Sequence, residues 1–473
     1  MSRSTIKFGT DGWRAVIADE YTFENLERVA RATADWLVES YGRDATVVIG
    51  YDTRFLGPDF AEHAAAVFAD EGIRCVLSNG FATTPAISWA TKEYGASAGI
   101  VITASHNPPK YNGFKIKAHF GGPASPEMIT DVEDRIKPLS ASGIPVGRRV
   151  LSVDLVELRD ITADYRRVLA ERIDLGAIRD SGIRVAHDAM YGAGQGLIAD
   201  LLGTDRVVQL HAARNPGFMG QAPEPIEDNL AELAAAVVRD HCDVGIANDG
   251  DADRVGMFDE KGSFVSSHLL LALLVSYLHE HRGMDGSIVK TFSTTHMLDR
   301  IGEVYGLPVE TTKIGFKYIA SKIVDGDVLV GGEESGGMAV KGHIPERDGV
   351  YIGLLVTEMV VTRGKALSAL VDELYEKFGP HYTCRYDAHT TDDVKQEILQ
   401  RLGDGGSLTN IAGMTVSDFQ TLDGYKHLAD EGWLLVRPSG TEPVLRIYSE
   451  ARTPEKAVEL VNDARRQLGL GSG

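Results

Sequence analysis

Apolar runs and amphipathic segments alternate along most of this chain. Apolar positions three and four apart over 23–41, 58–71 and 84–94 predict helices. Short apolar runs at 46–51, 73–78 and 100–102 predict strands between them. Such alternation describes a mostly parallel sheet covered by helices. Residues 138–150, rich in Pro, Gly and Ser, read as the end of a first domain. The pattern restarts with strands at 183–187, 206–210 and 243–247 and helices at 194–202 and 228–240. A third round has helix 267–280, strand 287–291, helix 294–305, strand 308–312, helix 315–324 and strand 327–331. Helices at 349–362 and 366–378 close it. After Gly379-Pro380 the pattern changes to strands at 381–390 and within 433–450, with helices at 391–402 and 453–467. The expected fold class is α/β: three related α/β domains (1–150, 151–265, 266–380) and a C-terminal α+β domain (381–473).

A chain of 473 residues exceeds one typical core, which agrees with several domains. The formal net charge of -20 argues for solubility and against nucleic acid or an anionic membrane as partner. Cys75, Cys242 and Cys384 lie far apart and form neither a metal pattern nor a disulfide framework, which predicts a reducing cytoplasm. The N-terminus lacks the apolar core of a signal peptide. The apolar stretches 269–278 and 350–361 are too short to span a bilayer and read as buried helices.

Four polar clusters follow apolar runs. Thr103-Ala104-Ser105-His106-Asn107-Pro108-Pro109 puts a hydroxyl where parallel α/β sheets place their ligands, and its two prolines stiffen the loop. His106 and Lys115 are basic groups that could neutralise a phosphate there. Asn248-Asp249-Gly250-Asp251-Ala252-Asp253-Arg254 gathers three carboxylates at alternate positions, which suits a hard divalent cation. Two competitors are an EF-hand, with Glu260 at loop position 12 but Arg254 where Gly belongs, and an aspartyl phosphotransferase with Asp249 as nucleophile. Gly332-Glu333-Glu334-Ser335-Gly336-Gly337 offers acceptors and donors for sugar hydroxyls. Arg437-Pro438-Ser439-Gly440-Thr441-Glu442-Pro443 reads as a phosphate cradle without Walker A spacing, or as a plain hairpin turn. Arg14 stands beside a tight turn at Gly9–Gly12. Judged singly, Lys115, Lys313 and Arg347 have the character of surface residues.

In this order, TASHNP, DGDADR, GEESGG and RPSGTEP resemble the motifs of the α-D-phosphohexomutase family over nearly the whole chain. The resemblance implies mixed sheets in the first three domains, a TATA-binding-protein-like fourth, and a central cleft. It implies that Ser105 carries a phosphate and that Asp249, Asp251 and Asp253 hold Mg²⁺ together with the phosphate on Ser105. Arg14, His106, Lys115 and Arg254 would serve the transferring phosphate, and Glu333 and Ser335 the sugar. Arg437, Ser439, Gly440 and Thr441 would hold the other phosphate, with Lys313 and Arg347 also at ligand-binding positions. The implied reaction interconverts glucose 1-phosphate and glucose 6-phosphate through a hexose 1,6-bisphosphate, which also serves as activator. The implied enzyme is a monomer or dimer acting on small sugar phosphates. The family's mannose/glucose branch resembles GEMSGH, with His where this chain has Gly337; its glucose branch resembles GEES, often with Lys at the position of Arg347. Other readings are a phosphomannomutase or dual-specificity mutase, a phosphotransferase that releases the bisphosphate, and a non-catalytic Ca²⁺-dependent sugar-binding protein.

Overall fold

A computed structural model of the chain describes residues 6–142, 149, 151, 154–403, 408–438 and 444–470. The first sheet runs in the order Trp13–Val16, Tyr111–Ala118, Ala98–Ile102, Thr46–Tyr51, Arg74–Ser78, Val156–Arg159. Its last four strands are parallel, and the first two are antiparallel to their neighbours. The second sheet has the order Phe264–Val265, Val255–Phe258, Val244–Asn248, Val185–Asp188, Val207–Leu210. The third has Val309–Thr312, Ser287–Thr291, Val328–Gly332, Met338–Val340. Both again combine parallel strands with an antiparallel return. The sheets are therefore mixed around a parallel core, as the resemblance implies. The C-terminal sheet is antiparallel throughout, with strands Tyr382–His389, Val444–Ala451, Gly432–Pro438, Tyr425–Ala429 and Asp418–Gln420.

The three repeats share one construction. In each, the last parallel strand ends in a polar loop, and an antiparallel strand carries the chain back. Ala98–Ile102 leads into the Ser105 loop, Val244–Asn248 into the aspartate loop, and Val328–Gly332 into the glutamate loop. All three lead-in strands are buried along their whole length, which fixes where each loop begins. Burying a large apolar side chain contributes about 1.5–3 kcal/mol, so such strands make firm anchors. In the fourth domain Gly432–Pro438 pairs with Val444–Ala451. Ser439, Gly440 and Thr441, between these strands in the sequence, lie outside the described residues.

Two details depart from expectation. The first sheet takes its sixth strand, Val156–Arg159, from beyond residue 150. The stretch 138–150, read as the end of the first domain, begins inside the helix Pro126–Ser142, which carries Pro138 within it, and 143–148 and 150 lie outside the described residues. The helix Gly349–Arg363 is capped by Asp348, whose side chain accepts from the Tyr351 amide. This helix follows the third repeat's loop yet packs on strands of the second sheet, where Gly353 passes close to Ile246. That packing ties the second and third repeats together. No helix among the described residues is long and apolar enough to cross a membrane.

Candidate active site

Ser105 sits in the left-handed region (φ 51°), a conformation that costs a residue with a side chain unless its surroundings hold it there. The holding group is Arg54, fully buried at the end of the strand Thr46–Tyr51. Its Nη2 donates to the carbonyls of Ser105 and Asn107 at 2.6 Å each, and its Nη1 to those of Pro108 and Tyr111 at 3.0 Å. Asp52 accepts from Arg54 Nε at 3.2 Å and from the Thr103 hydroxyl at 2.6 Å. Burial raises the Asp52 carboxyl to about 6 against the pull of Arg54. Sequence reasoning did not single out Asp52 or Arg54. The available signal was their position, a charged pair directly after an apolar strand, as in the motifs that were recognised.

The Ser105 hydroxyl donates to Asp249 Oδ2 at 2.7 Å and lies 3.3 Å from His106 Nδ1. Burial and the charges of Arg254, Arg14, Lys115 and Arg54 hold the His106 imidazole well below its usual range, so it is neutral at pH 7. Arg14 reaches the same loop, donating to Asn107 Oδ1 at 2.7 Å. The aspartate loop approaches so closely that a side-chain carbon on Gly250 would stand 2.5 Å from the Ser105 carbonyl oxygen. Only glycine allows that contact. Arg254 pairs loosely with Glu224 at 3.5 Å, and its backbone amide donates to Asp249 Oδ1 at 3.1 Å.

Asp249, Asp251 and Asp253 are buried, with one oxygen of each within 4.8 Å of the others. Burial and its two neighbours push the Asp249 carboxyl well above its usual range. Burial would raise Asp251 too, but the Lys115 ammonium and the Thr84 hydroxyl outweigh it and hold that carboxyl low. Asp251 Oδ1 and Asp253 Oδ1 have no hydrogen-bond partner among the described residues. Buried carboxylate oxygens left open at one place, with a third carboxylate beside them, are a donor set that fits a hard divalent cation. The EF-hand reading fails, because strands flank the loop and Glu260 is turned away to Ser368.

Lys115 and Arg347, surface-like by residue type, are buried in this cluster, which corrects that expectation. Lys115 Nζ lies 2.7 Å from Asp251, 2.9 Å from Asp253 and 2.8 Å from Asp11. Burial would lower its ammonium, but these three carboxylates dominate and keep it charged. Arg347 pairs with Asp11 and, at 2.7 Å, with Asp253, closing a ring of alternating charge through Lys115. Lys117 extends the ring, lying 3.3 Å from Asp11 and 2.7 Å from Glu346. The ring draws on all three repeats, so their relative placement and the aspartate loop depend on one another.

Glu333 accepts from the Gly315 amide at 3.0 Å, and burial raises its carboxyl to about 7 despite Arg347. Ser335 is partly buried at the loop tip. A side-chain carbon on Gly337 would fall 2.3 Å from Arg347 Cδ, so Gly337 leaves the room that Arg347 occupies. Lys313 is exposed. The next amide, that of Ile314, donates to Asp423 Oδ2 at 2.8 Å, and Asp423 Oδ1 accepts from Arg437 Nε at 3.1 Å. Asp423, missed in the sequence, thus joins the loop of Lys313 to the strand that carries Arg437.

Family models match the chain in four consecutive pieces: the phosphoglucomutase/phosphomannomutase α/β/α domains I (5–142), II (163–262) and III (266–378), and the C-terminal domain (390–467). A phosphoglucomutase/phosphomannomutase of Thermococcus kodakarensis is 34% identical over 457 residues, covering 96% of either chain. A probable phosphoglucosamine mutase of Pyrococcus furiosus is 33% identical over 464 residues, covering 97% of this chain and 96% of that one. A crystal structure from Thermus thermophilus, provisionally named a phosphomannomutase, superposes with a TM-score of 0.86 at 36% identity, covering 99% of this chain and 100% of that one. With four domains matched in order and the serine, aspartate and glutamate loops in contact with one another, the chain belongs to the α-D-phosphohexomutase family.

Proposed function

We propose that the protein interconverts glucose 1-phosphate and glucose 6-phosphate, carrying the transferable phosphate on Ser105. The observation that supports this most directly is the Ser105 hydroxyl, 2.7 Å from Asp249 beside neutral His106, among the cationic groups Arg14, Arg254 and Lys115. The phosphoserine P–O bond breaks as a sugar hydroxyl forms the new one. Neutral His106, 3.3 Å from the Ser105 oxygen, takes the hydroxyl proton and returns one to that oxygen as the P–O bond breaks, a role closed to the firmly charged Lys115. Arg14, Arg254 and Lys115 stabilise charge on the transferring phosphoryl group. The hexose 1,6-bisphosphate then turns by about half a turn and returns its other phosphate to Ser105, so the free bisphosphate acts as activator. Asp249, Asp251 and Asp253 would hold Mg²⁺, which when bound adds charge neutralisation at the phosphate. Arg437, with Ser439, Gly440 and Thr441, would clamp the phosphate not in transfer, with Lys313 beside it. Arg347 serves the site from the charge ring, by positioning Asp253. Enclosure between the domains keeps water from the phosphoserine. A cytoplasmic setting fits soluble sugar phosphates and three free cysteines.

Glu333 and Ser335 would meet hydroxyls that present themselves in both orientations of the intermediate. A buried carboxyl near neutrality accepts from a hydroxyl or pairs with an ammonium, so a glucosamine phosphate is the second reading. It is favoured by the relatives that carry phosphoglucosamine mutase names. The deciding experiment is a panel of glucose, mannose and glucosamine 1-phosphates with purified protein, Mg²⁺ and a trace of hexose 1,6-bisphosphate. Glucose 1-phosphate is expected to give the highest kcat/KM and mannose 1-phosphate a lower one. A higher value for either competitor would replace the glucose assignment.

A further inference from the structure

A cavity of about 550 Å³ lies between the third and fourth domains. Its walls include Lys290, His296 and Asp299 on one side and Gln420, Thr421 and Lys426 on the other. Both lysines are buried, each 2% exposed. Lys426 Nζ donates to the Phe292 carbonyl at 2.9 Å, lies 3.0 Å from His296 Nε2, and sits 3.9 Å from the centre of the Trp433 ring. Lys290 Nζ donates to the Thr295 carbonyl at 3.0 Å and pairs with Asp299. An ammonium has three N–H donors, so among the described residues Lys290 keeps one beyond these partners, while the third of Lys426 has only the Trp433 ring face. Two ammonium groups buried side by side repel one another, and the carboxylate on the wall, Asp299, is already engaged. Glu450, behind His296, gives one oxygen to the Trp433 indole and the His296 amide. Burial and Lys290 push Lys426 down to about 7, against Glu450 and Asp299. Burial, Lys426, Lys290 and His381 keep His296 neutral.

We propose that this junction is a second anion site, in which Lys290 and Lys426 bind the phosphate of a small phosphorylated metabolite and Gln420 and Thr421 face the rest of it. The volume is that of a small-molecule pocket. Thr421 stands two residues before Asp423, which joins Arg437 to the loop of Lys313. An occupant therefore touches the segment that holds Arg437, and it acts on KM for the sugar phosphate more than on kcat.

The test is a titration of the full-length protein with inorganic phosphate, read by Trp433 fluorescence against a Trp433→Phe blank. A saturable change is expected because the charge over that ring responds to the anion. Above pH 7 binding is expected to take up a proton, since an anion favours charged Lys426. Lys290→Met and Lys426→Gln should each weaken binding by about tenfold or more. Asp299→Asn should tighten it, a gain that a misfolded variant does not show. Arg437→Ala should keep the signal, which separates this site from the cleft. No saturable change, no tightening in Asp299→Asn, or loss of the signal in Arg437→Ala would each overturn the proposal.

Discussion

Arg54, in the first domain, and Arg437, in the fourth, are held in opposite ways. Arg54 is fully buried and spends its donors on four backbone carbonyls of the Ser105 loop and on Asp52. Arg437 is partly exposed, and Asp423 is its one ion-pair partner among the described residues. The first arginine builds a loop and has nothing left for a ligand. Among the described residues the second engages only its Nε, through Asp423. On the proposed reading the reacting phosphate meets a loop that is fixed before substrate arrives, as electrostatic preorganisation requires. On the same reading Arg437 clamps a phosphate that arrives in two orientations, and a lightly held guanidinium suits that task.

The comparison breaks most completely at the nucleophile. Ser105→Ala should lower mutase activity by several orders of magnitude while leaving the fold intact, because it removes the covalent carrier and little packing. Steady-state kinetics beside a denaturant curve checks both halves. Next is the metal loop. Excess chelator should abolish turnover and Mg²⁺ should restore it, and Asp251→Asn should weaken Mg²⁺ activation. Full activity in chelator would leave the carboxylate cluster without a catalytic purpose.

The two arginines should then separate by kind of effect. Arg54→Met leaves Asp52 buried and unpaired and should cost about 3–5 kcal/mol of stability, seen in the denaturant midpoint. Arg437→Ala should change stability by less than about 0.5 kcal/mol. It should instead raise KM by about one to two decades, the worth of a charged hydrogen bond of about 1.5–3 kcal/mol. If both variants lost stability alike, the contrast between the two arginines would be wrong. The smallest effect concerns Glu333. Its carboxyl, raised to about 7, becomes a charged acceptor as pH rises through that value. KM should therefore fall between about pH 6 and about pH 8, and Glu333→Gln should flatten that limb while weakening binding overall.

The loops were legible in the sequence because each polar cluster follows an apolar run and ends a strand. Two of the three return strands were not; only the one after the aspartate loop read as a strand. Tyr111–Ala118 is buried along most of its length, yet it carries Asn112, Lys115 and Lys117. Charges neutralised across a domain boundary look like surface residues until the partner is known. Asp11, Asp251, Asp253 and Glu346 are those partners, and none is near Lys115 or Lys117 in the chain. Met338–Val340 is too short to show a period at all. Arg54 escaped for a related reason, since the carbonyls it serves lie some fifty residues away. Motifs report the chemistry of one loop, whereas the groups that hold a loop in place are recruited from elsewhere in the fold.

The central claim is that phosphate travels by way of Ser105. It is tested most directly by loading the protein with hexose 1,6-bisphosphate labelled in its phosphates, locating the label by peptide mapping, and chasing with unlabelled glucose 6-phosphate. The account predicts one phosphate per chain on the Ser105 peptide, lost to the sugar at a rate no slower than turnover. Label on another residue, or on Ser105 but released more slowly than turnover, would contradict it.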